Sequence, residues 1–292
     1  MRLRWSAGAL AALALAIMAP GASAQVTVAR QAGKLKGFTV ATPKGALRVT
    51  GRPWTNTVLT TESGKAIHLA DPLLGRLRLR GEQRQRQTAS WGDAKFFETA
   101  RLEEVQDPSR PGALILRLTL ENADVGLRKD LALLIEPGQD VVYVTSRVLA
   151  LKDAEVLDDE VSMWMAPAAQ FSFIVDGRQV EPADKRREEI KRWAAALRRD
   201  ETTGFGVIIL PEAPAAAANC AASAGFRLDE KVKAGWFQLA RLPRGPMKAG
   251  ETRLLRYALF WGDGLKPGRV AELARQAETG GLDDKPWTLP QP

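Results

Sequence analysis

Carboxylates lie close to tryptophans at several points in the sequence, a combination that suits the chemistry of sugars. Two carboxylates about 5–10 Å apart across a sugar can hydrolyse a glycosidic bond, one protonated as the acid and one ionised. The acids that we predict as catalytic candidates on this basis are Asp93, Glu98, Asp159 and Glu160. If the protein is an enzyme, we expect a carboxylate-based lyase, hydrolase or epimerase-like activity.

Tryptophan and arginine side chains supply candidate binding groups near these acids. An indole ring can stack on the apolar CH face of a sugar, while polar neighbours accept hydrogen bonds from its hydroxyls. Trp54 and Trp236 also lie at or near predicted strand ends. A basic stripe that could hold uronates or phosphates through bidentate contacts is formed by Arg78, Arg80, Arg84 and Arg86. The residues predicted to bind substrate are Trp91, Lys95, Trp164, Arg78, Arg80, Trp261 and Asp263.

Each of these features also has a purely structural interpretation, which the sequence leaves open. A tryptophan at a strand end can fill the core of a sandwich. The acidic triplet Asp158–Glu160 can be a solvated turn or the rim of a Ca²⁺ site, and the arginine stripe can be a solvated edge strand.

The counts of histidine and cysteine restrict the chemistry. The sequence contains one histidine, His68, and one cysteine, Cys220. A zinc site built from several His or Cys ligands is therefore excluded, and no disulfide can form within the chain. A Ser-His-Asp triad would have to use His68, and the nucleophile motif G-x-S-x-G is absent. We predict no cofactor and no metal ligands.

The charge balance is basic, with a formal net charge of +8. Such a balance favours acidic partners such as anionic glycans, lipid head groups or nucleic acid. No nucleic-acid-binding motif is present. The expected partner is therefore a glycan or anionic polysaccharide, and not nucleic acid.

Residues 1–24 have the three parts of a cleavable secretory signal. Arg2 and Arg4 are followed by the apolar run Ala7–Met18 and by the small residues Ala22–Ala24. The apolar run is shorter than the roughly 20 residues that cross a bilayer, which argues against the alternative of a membrane anchor. We expect cleavage before Gln25, a periplasmic or secreted location, and no later transmembrane segment.

Strand patterns dominate the remaining sequence. Four leucines would share one face of a strand, Leu114, Leu116, Leu118 and Leu120, with Arg117, Thr119 and Glu121 on the other face. The segments 113–121, 127–135 and 140–149 are joined by short turns that predict an antiparallel meander. Asp176 and Gly177 predict a hairpin turn.

Other segments complete the predicted architecture. We predict a strand at 96–105, a helix at 182–199 from the helical spacing of Ile190, Trp193 and Leu197, and a short helix at 267–279. The absence of regular strand–helix alternation favours an all-β fold: a large antiparallel two-sheet β-sandwich with one or two short peripheral helices. We expect residues 25–280 to form a single sandwich domain and residues 281–292 a loose C-terminal tail.

Three segments together carry a resemblance to a known superfamily. The strand–turn–strand unit Lys129–Val148, the segment Thr203–Leu210 and the segment Ala249–Asp263 resemble the galactose-mutarotase-like β-supersandwich. That resemblance implies a sugar-related scaffold. It carries over no catalytic residue, because the aldose epimerases of this fold use two histidines and a glutamate, whereas His68 lies outside the three segments.

The sequence thus predicts an exported protein that binds or processes an envelope or extracellular glycan. The alternative that stays open is a non-catalytic periplasmic interaction or assembly protein on the same β-sandwich scaffold.

Overall fold

The computed structural model describes residues 24–42, 44–51, 56–80, 86–210 and 220–279. The predicted signal up to position 23, the C-terminal tail, Trp54 and Arg84 lie outside these ranges. Within them the fold is an antiparallel β-sandwich with two short α-helices, so the predicted fold class is confirmed.

The N-terminal strands form a separate five-stranded sheet, which the two-sheet prediction did not include. Its strands pair in chain order, each antiparallel to the next. They are β1 (Gln25–Gln31), β2 (Lys34–Thr42), β3 (Gly45–Thr50), β4 (Thr57–Thr61) and β5 (Ala66–Leu69).

The remaining strands form a six-stranded and a nine-stranded sheet. The next strands along the chain are β6 (Arg76–Arg80), β7 (Arg86–Ser90), β8 (Arg101–Val105), β9 (Leu114–Asn122), β10 (Leu127–Ile135), β11 (Val142–Ala150) and β12 (Val156–Met165). The last eight are β13 (Phe171–Val175), β14 (Arg178–Val180), β15 (Arg187–Glu189), β16 (Trp193–Arg198), β17 (Thr203–Ile209), β18 (Cys220–Leu228), β19 (Lys233–Arg241) and β20 (Thr252–Asp263).

The order of strands brings distant parts of the chain together. The six-stranded sheet has the order β15-β18-β19-β12-β6-β7. The nine-stranded sheet has the order β14-β13-β16-β17-β20-β11-β10-β9-β8. One continuous apolar core joins all three sheets, and the four alternating leucines of β9 belong to it, as their spacing predicted. The predicted meander corresponds to β9, β10 and β11, and the hairpin turn at Asp176 joins β13 to β14.

A second apolar layer lies on the opposite face of the nine-stranded sheet. The predicted C-terminal helix, α2 (Pro267–Thr279), packs there through Val270, Leu273 and Ala274. These side chains are almost fully buried against residues such as Trp193 and Phe260. The nine-stranded sheet is therefore covered on both faces.

This double coverage explains why the helix predicted at 182–199 is wrong. The segment forms β15 and β16 instead, and β16 pairs with β13 and β17. Ala194 and Ala196 face the main core, while Trp193 and Leu197 face the layer under α2. A strand buried on both faces carries apolar residues at nearly every position, so its pattern can be mistaken for helical periodicity.

The strand predicted at 96–105 begins later than expected. Residues Ala94–Phe97 form one helical turn, α1, and strand pairing starts at Arg101. The backbone N–H groups of Phe96 and Phe97 both donate to the Asp93 carbonyl, 3.0 Å away. The chain reverses direction after Trp91, and Phe96 and Phe97 therefore adopt a helical turn despite their strand propensity.

Candidate functional site

One face of the six-stranded sheet carries polar and aromatic side chains. Leu77 and Leu79 of β6, and Val161 and Met163 of β12, lie in the apolar core. Because side chains alternate along a strand, the residues between them point to the opposite side of the sheet. We call this side the outer face. The residues on it that concern us are Arg76, Arg78, Arg80, Asp158, Glu160, Ser162, Trp164, Gly225, Trp236 and Gln238.

Two stacked tryptophans form one end of the outer face. Trp164 of β12 and Trp236 of β19 are cross-strand partners, with ring centroids 4.9 Å apart and planes inclined by 19°. Gly225 of β18 is the next cross-strand partner, and a Cβ atom there would lie 2.6 Å from Cε2 of Trp236. Both rings remain partly exposed. The two rings thus stack on each other, each keeps part of its surface exposed, and the Trp236 ring lies against Gly225.

Glu160 is the centre of a charged cluster beside the tryptophan pair. Its Oε1 atom lies 2.8 Å from Nε of Arg76 and accepts a hydrogen bond of 2.6 Å from Nη2 of Arg78. Gln238 donates to the other carboxylate oxygen. Burial raises the pKa of Glu160, while the two guanidinium groups oppose that rise. The carboxylate has no exposed surface, so its hydrogen-bonding capacity is used within the protein.

Arg76 connects this cluster to the tryptophan pair. Its guanidinium carbon lies 5.9 Å from the centroid of the Trp164 ring, and Nη2 donates to Oγ of Ser162 at 2.9 Å. A guanidinium group held over an indole face is a favourable cation–π contact. The aromatic and charged parts of the outer face are therefore one continuous structure.

Asp158 lies at the other end of the outer face. Its Oδ2 atom is 3.6 Å from Nη1 of Arg78, and its Oδ1 atom is 3.8 Å from Nε of Arg244. Oδ1 is buried and has no hydrogen-bond partner in the described part of the chain. Asp158, Asp159 and Glu160 all lie within β12 and are buried, which corrects the interpretation of the triplet as a solvated turn before a strand.

Asp159 points to the opposite side of the sheet from its two neighbours. It pairs with Arg241 at 2.5 Å, and Arg241 also donates to the backbone carbonyl of Ser146 at 3.2 Å. Lys129 lies nearby and donates to the carbonyl of Leu74. Burial and the charge of Arg241 lower the pKa of Lys129 to about 7.

Asp71 completes this group of buried charges. Asn56 donates to its Oδ1 atom, Oγ of Ser90 lies 3.4 Å from the same oxygen, and Oδ2 lacks a partner among the described residues. Burial raises the pKa of Asp71 to about 6, and the charge of Lys129 is one of the opposing influences. We call Asp71, Lys129, Ser146, Asp159 and Arg241 the interior cluster.

Four predicted site residues, at Trp91 and in the segment just after it, lie away from the outer face. Trp91 is buried in the core with 1% of its surface exposed. Asp93 precedes α1, and Lys95 forms an exposed ion pair of 3.1 Å with Asp124. Glu98 pairs with Lys34 at 2.9 Å and with Lys36, and these contacts hold its pKa below the usual range.

Trp261 and Asp263 instead connect the nine-stranded sheet to the N-terminal sheet. Trp261 is buried and donates from Nε1 to the carbonyl of Thr60 at 3.1 Å. Asp263 accepts hydrogen bonds from the Thr61 hydroxyl and the Ser63 backbone, both 2.9 Å long. Through these contacts, both residues connect the nine-stranded sheet to the N-terminal sheet.

The structure thus brings Arg78, Arg80, Trp164 and Glu160 of the predicted set to one face and separates the others from it. Four further residues join them, and none was among the residues predicted to bind substrate: Trp236, Arg76, Gln238 and Arg244. Of these, only Trp236 had been considered from the sequence, as a tryptophan near a predicted strand end. The period-2 pattern of β19, in which Trp236 and Gln238 alternate with Phe237 and Leu239, is the signal that could have identified two of them.

The described residues contain no group of three or more His, Cys, Asp or Glu side chains that could hold a metal ion. Across the same residues, no helix is both long enough and apolar enough to cross a membrane.

Comparisons with known proteins show the fold. No protein-family model and no curated protein matches the sequence. The galactosidase domain of an alpha-galactosidase–sucrose kinase superposes with a TM-score of 0.52 and 12% identity, over 82% of this chain and 42% of its own. The alpha-N-acetylgalactosaminidase of Bifidobacterium bifidum gives 0.54 and 13%, over 84% and 39%.

The same fold also occurs outside proteins named as glycosidases. A TPR-domain containing protein of Parabacteroides distasonis superposes with a TM-score of 0.53 and 9% identity, over 77% of this chain and 46% of its own. The chain therefore spans less than half the length of each of these three structures. At such identities the likeness shows an antiparallel β-sandwich that is also part of glycoside-cleaving chains.

Proposed function

We propose that the protein is exported and binds a glycan of the cell envelope or the extracellular space on the outer face of its six-stranded sheet. The tryptophan pair carries this proposal. Trp164 and Trp236 stack on each other and stay partly exposed, with a row of charged and amide side chains along the same and neighbouring strands.

The chemistry of sugars fits this arrangement. The CH faces of a pyranose are apolar and stack on indole rings, while its hydroxyls need donors and acceptors around the edge. Ser162 and Gln238 lie two residues along their strands from Trp164 and Trp236, and Arg76 lies over the Trp164 ring. These three side chains supply such groups. The fold shared with glycoside-cleaving chains is consistent with a sugar-related role.

The carboxylates support binding more than bond cleavage. Of the predicted catalytic acids, Asp159 faces the interior cluster and Glu98 is paired with two lysines. Glu160 is enclosed by two arginines and a glutamine. A general acid or nucleophile must reach the glycosidic bond, and neither Glu160 nor Asp159 is exposed to do so. We therefore place binding before catalysis in the proposal.

A glycan array with the purified exported protein tests the proposal directly. We expect binding to at least one glycan class, and we expect Trp236→Ala to reduce that binding about tenfold or more. Leu151→Ala is the matched control, because it also removes an exposed apolar side chain but lies in the turn after β11. Thermal unfolding of each variant verifies that the fold is retained.

Two outcomes would count against the proposal. Absence of binding to every neutral and acidic glycan would overturn it and favour the interaction or assembly role. Equal binding by Trp236→Ala and by the unmodified protein would show that the outer face is not the site. N-terminal sequencing of protein recovered outside the cytoplasm tests export, with Gln25 as the expected first residue.

A further inference from the structure

Two half-exposed arginines lie on either side of β12 at the end of the outer face that is remote from the tryptophan pair. Arg80 ends β6, and Arg244 follows β19, while Asp158 lies on β12 between those strands. Trp164 is six residues from Asp158 on the same strand, a separation of about 20 Å. The outer face therefore has an aromatic end and an arginine end, far enough apart to contact different units of one oligosaccharide.

The arginines at the two ends differ in how firmly they are held. Arg76 and Arg78 have 15% and 24% of their side chains exposed and are in contact with Glu160 at less than 3 Å. Arg80 and Arg244 are about half exposed, and their nearest carboxylates lie 3.9 Å and 3.8 Å away. Those distances are too long for hydrogen bonds, so both guanidinium groups keep donors that a ligand can use.

The hydrogen bonding of Asp158 is incomplete in the same region. Its side chain is more than nine-tenths buried, yet Oδ1 has no hydrogen-bond partner in the described part of the chain. Buried carboxylate oxygens are nearly always satisfied, so an unsatisfied one at the edge of a polar face indicates a group that completes it. A sugar hydroxyl is a donor of the required kind.

The charges at the arginine end do not balance. The guanidinium groups of Arg76, Arg78, Arg80 and Arg244 face the carboxylates of Glu155, Asp158 and Glu160. Among the residues that the structure describes here, positive charges exceed negative charges by one. An anionic substituent on the ligand would balance this excess, and guanidinium groups bind carboxylate and sulfate oxygens through paired N–H donors.

We infer that the bound glycan is acidic, and that Arg80 and Arg244, on either side of β12, bind its carboxylate or sulfate groups while Asp158 accepts a hydrogen bond from a neighbouring hydroxyl. This inference rests on the proposed function, since the same glycan would occupy the tryptophan pair. It adds the chemical class of the ligand and the orientation of the ligand along β12, with an acidic group at the arginine end.

Calorimetric titration with chemically matched oligosaccharides tests the inference. The probes are a uronic-acid oligosaccharide, its methyl ester, and a sulfated oligosaccharide of similar length. Esterification removes the charge and leaves the ring, so the esterified form reports on the tryptophan pair alone. The uronate and sulfate probes distinguish the two sources of negative charge.

We expect the exported protein to bind at least one acidic probe about tenfold more tightly than the methyl ester. The double variant Arg80→Gln/Arg244→Gln should abolish that preference and flatten the salt dependence of binding, with affinity for the ester unchanged. Arg101→Gln is the control, because this exposed arginine lies on β8 at the edge of the nine-stranded sheet.

The outcomes separate the inference from the proposed function. Equal affinity for acid and ester, lost in Trp236→Ala, would overturn the inference and leave the glycan-binding proposal standing. A similar loss in Arg101→Gln would show a general effect of net charge and would also overturn it. Absence of binding to all probes and to the glycan array would overturn both.

Discussion

The two faces of β12 hold charged residues in opposite ways. On the outer face, Asp158 and Glu160 pair with arginines that stay partly exposed. On the inner face, Asp159 pairs with Arg241, whose side chain is completely buried between the sheets. The three acids are consecutive in the chain, yet alternation along the strand gives the middle one a different environment.

This difference separates binding from stability. A partly exposed guanidinium group can exchange a protein partner for water or a ligand at low cost, because solvent screens its charge. A fully buried pair has no such exchange, and removal of one partner leaves an uncompensated charge in a medium of low polarity. We therefore expect changes at the interior cluster to affect folding, and changes at the outer face to affect binding.

The largest expected effect is that of Asp159→Asn. The variant leaves the Arg241 guanidinium buried without its carboxylate, which we expect to lower the free energy of unfolding by about 3–5 kcal/mol. Urea unfolding measures this change. If the variant does not fold, Asp159→Asn/Arg241→Met should restore folding, because it removes both charges. A loss below about 1 kcal/mol for the single variant would show that the pair is not a buried one.

Lys129 should give the stability a specific pH dependence. Its pKa is about 7 in the folded protein and near 10.5 when solvated. Between these values the unfolded chain binds a proton that the folded chain does not, so stability rises with pH. The rise from pH 7 to pH 9 should be about 2 kcal/mol, measured by denaturant unfolding at each pH.

The contribution of Lys129 is isolated by comparison of two variants. Lys129→Met should remove the rise of the unfolding free energy between pH 7 and pH 9. Lys95→Met, at an exposed lysine, should keep it. If the unfolding free energy rises equally with pH in the two variants, a buried neutral lysine in the interior cluster is excluded.

Glu160→Gln is the matched counterpart of Asp159→Asn on the outer face. The new amide oxygen can still accept from one arginine, and both arginines retain contact with water. We expect a loss of about 1 kcal/mol in the free energy of unfolding, well below the effect at Asp159. Equal losses at the two positions would remove the distinction between the faces.

The smallest expected effect on stability belongs to Gly225→Ala. The added methyl group would press on the Trp236 ring, while the gain in strand propensity over glycine offsets part of the cost. We expect a change of less than about 1 kcal/mol in stability, together with a several-fold loss of glycan affinity measured by calorimetry. Gly268→Ala, which meets open space in α2, is the control and should alter neither the binding nor the ring contact.

The local patterns were read correctly where one face of a strand is buried and the other is not. The leucines of β9 and the alternating arginines of β6 follow the period of two that a half-buried strand imposes. The helix α2 was found from its amphipathic spacing for the same reason. The segment of β16 was misread because burial on both faces removes the period.

The candidate site was predicted in part. Trp164, Glu160, Arg78 and Arg80 lie on one face as a group, whereas Trp91 and Trp261 fill the interior. Both kinds of tryptophan lie at or near predicted strand ends in the sequence. Only the pairing of their strands decides whether a ring meets the core or the solvent.

The sequence by itself determined the strand-rich character, the basic charge and the presence of a single histidine, too few for a multi-histidine metal site or for the two-histidine chemistry of aldose epimerases. Composition and side-chain alternation determine these features because they are local properties. Tertiary structure decided which charges belong together. Arg78 and Glu160 are 82 residues apart, and Gln238 lies another 78 residues along the chain. Their contact depends on the order β19-β12-β6 within the sheet, and no local pattern encodes which distant strands become neighbours.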